Sequence, residues 1–442
     1  MLKRFVTGAV LGAIFATAPA LAGPGADLLR QHLYAGTIGQ GLAEIASLAE
    51  GGDEEARFGV GVLTFMQGME TLARSMYRYG LVGPETGIFG PDLPIPVPPN
   101  PNPEALDYDA LRAVLEQFVA DMDRATEVLR LAGEGGDYVV EIDPLLIRID
   151  IDGDGTGSEL ETIGNIFALA VNNQPDSTVA VPEPDPAEPP PRVKDKSGSA
   201  NPPIPETPAE PPSSATLLGF DRADAIWLAG YGQIFATQAD FLLAHDFSGT
   251  VNAVFHRFFP HGNFPLAGSA DTGTLMIDPE TDSAIADLIA FIHTANWPVI
   301  DPARLANLPA RLANVTDLSR ANWDAIEAEV DDHLEYIPSP RQTPRFPGAE
   351  VTEEMVAAWR EALDLFDQVL AGDLLVPHWR FRQGFDVRQY FDTATRTDFV
   401  MLITGFDALP YLKEGPIADA QTFADVNEAF GGNLFFYALW FN

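Results

Sequence analysis

A mainly α-helical protein, built of helical hairpins or a bundle, is the fold class this sequence predicts. Three observations carry the expectation. Residues 54–79 place Phe58, Val62, Phe65, Met69, Leu72 and Met76 at helical spacing, which gathers them into one apolar stripe. Residues 352–371 repeat the pattern with Val356, Trp359, Leu363, Phe366 and Leu370. The chain also lacks successive alternating segments of roughly ten residues, the signature of a membrane β-barrel. With 46% apolar residues, it has material for a sizeable core.

The elements follow in order. Lys3 and Arg4, an uncharged apolar run over 5–17, and the small-x-small site Ala20-Leu21-Ala22 predict a signal peptide over 1–22, too short to span a membrane. The rest of the chain is expected to be exported and soluble, periplasmic or secreted, because no later stretch reaches about 18 consecutive apolar residues. Residues 23–51 read as one helix, paired antiparallel with 54–79, and Gly80 is a natural stop. A proline-rich connection follows over 83–103. Asp107 or Asp109 then caps a third helix with Leu111, Val114, Leu115, Phe118, Val119, Met122 and Leu129 on its apolar face. It ends in the glycines Gly133, Gly135 and Gly136. Residues 138–142 and 145–149 are β-branched or aliphatic and read as short strands. Residues 158–171 read as a helix.

Composition changes at 172–215, where 13 of 44 residues are proline. Such a segment buries too little apolar area to offset its ordering entropy and reads as a flexible linker or loop. It divides the chain into an expected helical domain over 23–171 and a second, mainly helical domain over 216–442. The second carries predicted helices over 220–245, capped by Asp221, and over 284–294, 322–336 and 352–371. The tail LFFYALWFN is aromatic enough to require burial in the body or a protein partner.

Charge and cysteine content exclude several classes. The net charge is −38, from 64 acidic against 26 basic residues, so nucleic acid and anionic membrane surfaces repel the chain. There is no cysteine, which excludes a disulfide framework, a lipoprotein anchor and thiolate-bound zinc. No G-x-S-x-G elbow, Walker loop, dinucleotide fingerprint or H-E-x-x-H occurs.

One segment carries metal chemistry. Residues 150–161 read Asp150-Ile-Asp152-Gly-Asp154-Gly155-Thr156-Gly-Ser158-Glu-Leu-Glu161, matching D-x-D-x-D-G-x-x-x-x-x-E. Asp150, Asp152 and Asp154 aim hard oxygen donors at one centre, Gly155 permits a sharp turn, and Thr156 offers its backbone carbonyl. Ser158 contributes directly or through water, and Glu161 closes the sphere with both carboxylate oxygens. Oxygen-only ligands favour Ca²⁺ over zinc or copper, and Mg²⁺ fits less well because it demands a tight octahedron.

The loop resembles that of the EF-hand family over these twelve residues and the helix after them. Two departures shape what the resemblance implies. Gly157 stands where EF-hands place an aliphatic residue that pairs two loops, and the preceding segment is strand-like. With no second loop, a single structural calcium site is expected rather than a cooperative sensor. Ile151 stands where the lanthanide-binding loops of periplasmic proteins carry proline, which ranks calcium first. The whole chain also resembles a group of uncharacterised exported bacterial helical proteins that share the helix pair, this loop and a helix F-D-x-x-D-x-x-W-L-x-G-Y, here residues 220–231. That resemblance implies no activity.

The function expected is therefore that of an exported calcium-binding protein acting by binding or as a scaffold. The alternative is a secreted hydrolase with structural calcium, using His245, His256, His261 and His378 with Asp246.

Overall fold

A computed structural model describes residues 23–83, 97–172, 216–269, 272–346 and 348–418, with 427–430, 432, 438 and 440–441 near the C-terminus. The expected signal peptide, nearly all of the proline-rich segment 172–215, and most of the aromatic tail lie outside them. The fold is mainly α, with only small two- and three-stranded sheets. Among the described residues no helix is long and apolar enough to cross a membrane.

The chain opens with α1 (Pro24–Ala35) and α2 (Ile38–Glu50). The single helix expected over 23–51 is therefore two. Gly36, at φ 64°, takes a left-handed conformation that glycine adopts without steric cost, and the chain turns a corner there. Next comes α3 (Glu54–Arg78). Asp53 caps it by accepting the Ala56 N–H at 2.9 Å, and Glu54 and Glu55 favour the positive end of the helix dipole. Helix α4 (Tyr108–Gly133) is capped by Asp107, which accepts from Ala110 at 2.8 Å.

Strand β1 (Val140–Ile142) is shorter than expected. The second strand expected, over 145–149, is replaced at its start by a 3-10 turn, Pro144–Leu146. Asp143 accepts the Leu145 N–H at 3.1 Å, a local bond that competes with strand pairing. The helix expected over 158–171 is likewise divided. A 3-10 turn, Glu159–Glu161, comes first, and α5 (Ile163–Asn172) begins only after Thr162. Thr162 is extended and bridges Arg148, with the Ile163 N–H donating to Ile147 at 2.9 Å.

Beyond 215, β2 (Leu218–Phe220) pairs antiparallel with β1, Val140 opposite Phe220. Helix α6 (Arg222–Leu243) has a capping box formed by Asp221 and Asp224. There follow α7 (Ser248–Val254), α8 (Pro279–Thr294), β3 (Asn296–Pro298) and α9 (Pro302–Ala328). Helix α8 starts before the predicted 284 because Asp278 caps it and Pro279 fills its first position. Helix α9 corrects the helix expected over 322–336. It begins twenty residues earlier, contains Pro309, and ends at Ala328, leaving Leu334 and Tyr336 in the loop beyond. Helix α10 (Glu353–Ala371) runs almost as predicted, capped by Thr352. The remainder comprises β4 (Val376–Pro377), β5 (Gly384–Phe385), α11 (Val387–Thr393), β6 (Arg396–Asp398), α12 (Phe399–Thr404) and β7 (Leu412–Lys413). β3 pairs with β6, and β5 lies between β4 and β7.

One core joins the chain on both sides of residues 172–215. Leu29, Ile45, Phe58, Leu63, Met122 and Leu129 from the first part cluster with Leu243, Trp323, Trp359 and Phe441 from the second. Phe441 is fully buried, with its ring 4.6 Å from that of Trp323. This part of the tail is core, and Trp227 reaches it by donating its indole N–H to the Trp440 carbonyl at 2.9 Å.

Candidate metal centre

The loop 150–161 is shaped by its own short-range chemistry. Gly153 and Gly155 are left-handed, at φ 78° and 106°, conformations costly for residues with a Cβ. Asp150 accepts the N–H of Gly153 and of Gly155, at 2.9 and 3.0 Å. Asp152 accepts that of Asp154 at 3.0 Å, and Asp154 that of Thr156 at 2.9 Å. These bonds curl the backbone so that ligand oxygens of Asp150, Asp152 and Asp154 all lie within 4.8 Å of one another.

Glu161 is placed differently. It is buried, and its carboxylate lies against the loop backbone. One oxygen accepts from Ile151 at 2.8 Å and Asp152 at 3.1 Å, the other from Ser158 at 2.7 Å. Burial pushes this carboxyl up, but the donors from Ser158, Ile151 and Asp152 outweigh it and hold it below its ordinary value. Ser158 and Glu161 form a reciprocal capping box.

Two elements distant in sequence grip the loop. From α3, Arg74 pairs with the buried Asp150 carboxylate, donates to the Asp150 carbonyl at 2.8 Å, and bridges to Glu70 at 2.8 Å. Glu70 in turn accepts the Asp150 N–H at 3.2 Å. Burial raises the Glu70 carboxyl above its usual range, against the opposing pull of Arg74. From the α1–α2 corner, Gly36 accepts the Gly157 N–H at 3.1 Å, and Leu33 accepts that of Arg148 at 2.9 Å. A Cβ on Gly157 would meet Arg148 at 2.7 Å and Gly36 at 3.1 Å. The glycine that departs from the EF-hand pattern thus makes room for the helix corner that contacts the loop here. A cavity of about 310 Å³ opens beside it, lined by Gln67, Glu70, Thr71, Arg74 and Gly155 among others.

The donor set is all oxygen, and three carboxylates converge on one point. Such a group suits a hard cation. Among the described residues no other cluster of three His, Cys, Asp or Glu is arranged to hold a metal.

No protein-family model, curated protein or solved structure matches this chain.

Of the histidines expected of a hydrolytic site, His245 and His378 bond to groups beside them. His245 is buried at the end of α6. Its Nδ1 donates to the Phe241 carbonyl and its Nε2 meets the Thr397 hydroxyl, both at 2.7 Å. Burial lowers its pKa, opposed by the bond to Phe241. Asp246 caps Ser248 at 3.0 Å. His256 is buried in a 3-10 turn and His261 is exposed. His378 donates from Nε2 to Leu402 at 3.1 Å and accepts from Arg380 at 3.2 Å.

Arg74, Glu70 and Gly36 are the site residues that sequence reading missed. Glu70 and Arg74 stand four apart on one helix, a legible ion pair, yet nothing in the sequence shows that Asp150 lies beside them.

Proposed function

We propose that residues 150–161 bind one Ca²⁺ ion and that the ion braces the contact between the loop, the α1–α2 corner and α3 in an exported protein. The observation that carries the reading is the convergence of carboxylate oxygens of Asp150, Asp152 and Asp154 within 4.8 Å of one another on a loop turned by two left-handed glycines. Asp150, Asp152, Asp154, the Thr156 carbonyl, Ser158 and Glu161 would hold the ion. Bound calcium supplies positive charge that relieves repulsion among these acids, so binding and local order are coupled. The anchoring of both loop flanks in helices supports a structural role over a switch. Export is supported by the sequence of residues 1–22.

Equilibrium dialysis against radioactive calcium tests the reading. One ion per chain is expected for the wild type and none for Asp152→Ala combined with Glu161→Ala. Equal uptake by both proteins places the ion elsewhere.

A further inference from the structure

We infer that the connection between β4 and β5, together with the end of α12, is a docking surface for a short acidic segment of another protein, one with aromatic or aliphatic residues beside its carboxylates. Trp379 in that connection is 72% exposed. Ile403, at the end of α12, and Phe406, just beyond it, are 69% and 63% exposed. Large apolar side chains gathered in water mark a contact surface.

Close contacts make these residues one surface. The Trp379 indole N–H donates to the Ile403 carbonyl at 2.8 Å, and the neighbouring His378 bonds to Leu402 at 3.1 Å. Gly405, left-handed at φ 98°, lies against the same connection. A Cβ there would stand 2.9 Å from the Phe381 ring and 3.2 Å from Arg380 Cδ. Phe406 follows directly. Because its N–H is already bonded, the Trp379 ring offers a partner apolar and π surface but no donor.

The charge that selects the occupant is local and unpaired. Residues 374–385 contain Arg380 and Arg382 and no Asp or Glu, and residues 399–406 contain no charged residue. Both arginines are exposed. Among the described residues, neither guanidinium has a carboxylate partner. The first acid after each stretch is already engaged, Asp386 by Lys413 at 3.3 Å and Asp407 by Arg396 at 2.8 Å. Arg380 holds its guanidinium carbon 4.3 Å from the centre of the Trp379 ring. A guanidinium stacked on a ring uses its face and keeps its edge N–H donors free to grip a carboxylate in a fork. Trp and Arg are also the residue types that most often anchor protein interfaces.

Other occupants fit less well. A membrane surface or an extended polyanion meets the whole chain, with its net charge of −38, and is repelled. A short segment meets mainly charges within a Debye length, about 10 Å at 0.1 M salt. A neutral sugar would leave both guanidinium groups without a counter-charge and set its hydroxyls against Ile403 and Phe406. A second copy presenting the same face would set arginine against arginine.

The test uses the full chain and a labelled peptide of about ten residues that alternates Phe or Leu with Glu, followed by fluorescence anisotropy. The double variant Arg380→Gln, Arg382→Gln is expected to bind it at least about tenfold more weakly, with an unchanged melting temperature. A peptide with Lys in place of Glu is expected not to bind. Hydrogen exchange on the wild type should show protection over 378–382 and 402–406 when the Glu peptide is added, which checks the surface without any substitution. No saturable binding up to millimolar peptide, equal affinity in the double variant, equal binding of the Lys peptide, or no protection over those residues overturns the proposal. Binding to phosphatidylcholine vesicles or to dextran that Trp379→Ala abolishes, with none to the Glu peptide, gives the surface to lipid or to sugar and overturns it equally.

Discussion

Two nests of carboxylates lie in this molecule, and they meet their negative charge in opposite ways. In the loop 150–161 acids face donors. Asp150 is buried against Arg74 and two backbone N–H groups, and Glu161 against three. Around the start of α6 acids face acids. Asp221 and Glu329 are buried side by side, and burial raises both carboxyls, which favours their protonated forms. Burial, reinforced by Asp221, pushes Glu329 up to about 9. Burial, only partly offset by the His333 N–H, pushes Glu335 to about 7. Asp224, desolvated beside Asp221, is raised as well. Acid content alone therefore does not define a cation site. In one nest glycine turns and donors aim three carboxylates at a shared point; in the other, burial among like charges raises the carboxyls and favours their protonated forms.

The largest expected effect comes from removing the cation already built into the first nest. Arg74→Met leaves Asp150 and Glu70 buried without their guanidinium, and should cost about 3 kcal/mol in urea denaturation with a chelator present. Calcium should restore part of that loss. If it restores none, the loop does not depend on positive charge in the way the comparison requires.

Calcium itself should stabilise the wild type by about 2.7 kcal/mol at a concentration a hundred times its dissociation constant. The double variant Asp152→Ala, Glu161→Ala should gain nothing. If it gains as much, the ion is bound outside residues 150–161.

Gly36→Ala tests the corner that grips the loop. A Cβ there is strained at φ 64° and collides with the Gly157 backbone, so a loss of about 2 kcal/mol is expected, with weaker calcium uptake. Unchanged uptake would separate the corner from the site.

The smallest effect belongs to the protonated nest. A carboxyl raised by folding keeps its proton where the unfolded chain has lost it. Its contribution is complete below about 4.5, the ordinary glutamate value, and drains away as pH climbs through about 7 for Glu335 and about 9 for Glu329. Glu329→Gln mimics the protonated form. It should leave the melting temperature at pH 5 nearly unchanged and reduce the fall between pH 5 and 9 by a few degrees, on the order expected for a modest stability change. An identical fall in both proteins would show that the pair carries no proton.

What the sequence reveals depends on how local each feature is. The loop is legible because its donors lie within twelve consecutive residues, and α3 and α10 because most of each stripe packs into one core, although Phe366 is exposed and Met76 joins a second cluster. The break at Gly36 is not, since apolar residues continue across it and only the approach of Gly157 requires a left-handed residue there. Helix α9 is misread at both ends: it begins at Pro302, buries Pro309 inside it and stops at Ala328. The burial of Asp282 and Asp287 on α8 is hidden for the same reason as Arg74. Asp282 and Asp287 look like ordinary surface acids until the backbone of 275–277 and Arg257 are brought beside them.

The most direct measurement is a calorimetric titration of the chelator-treated full chain with calcium, run beside Asp152→Ala combined with Glu161→Ala. One site per chain in the wild type and none in the variant is the predicted result. No heat and no uptake at millimolar calcium in the wild type, or the same isotherm for both proteins, would contradict a calcium site at residues 150–161.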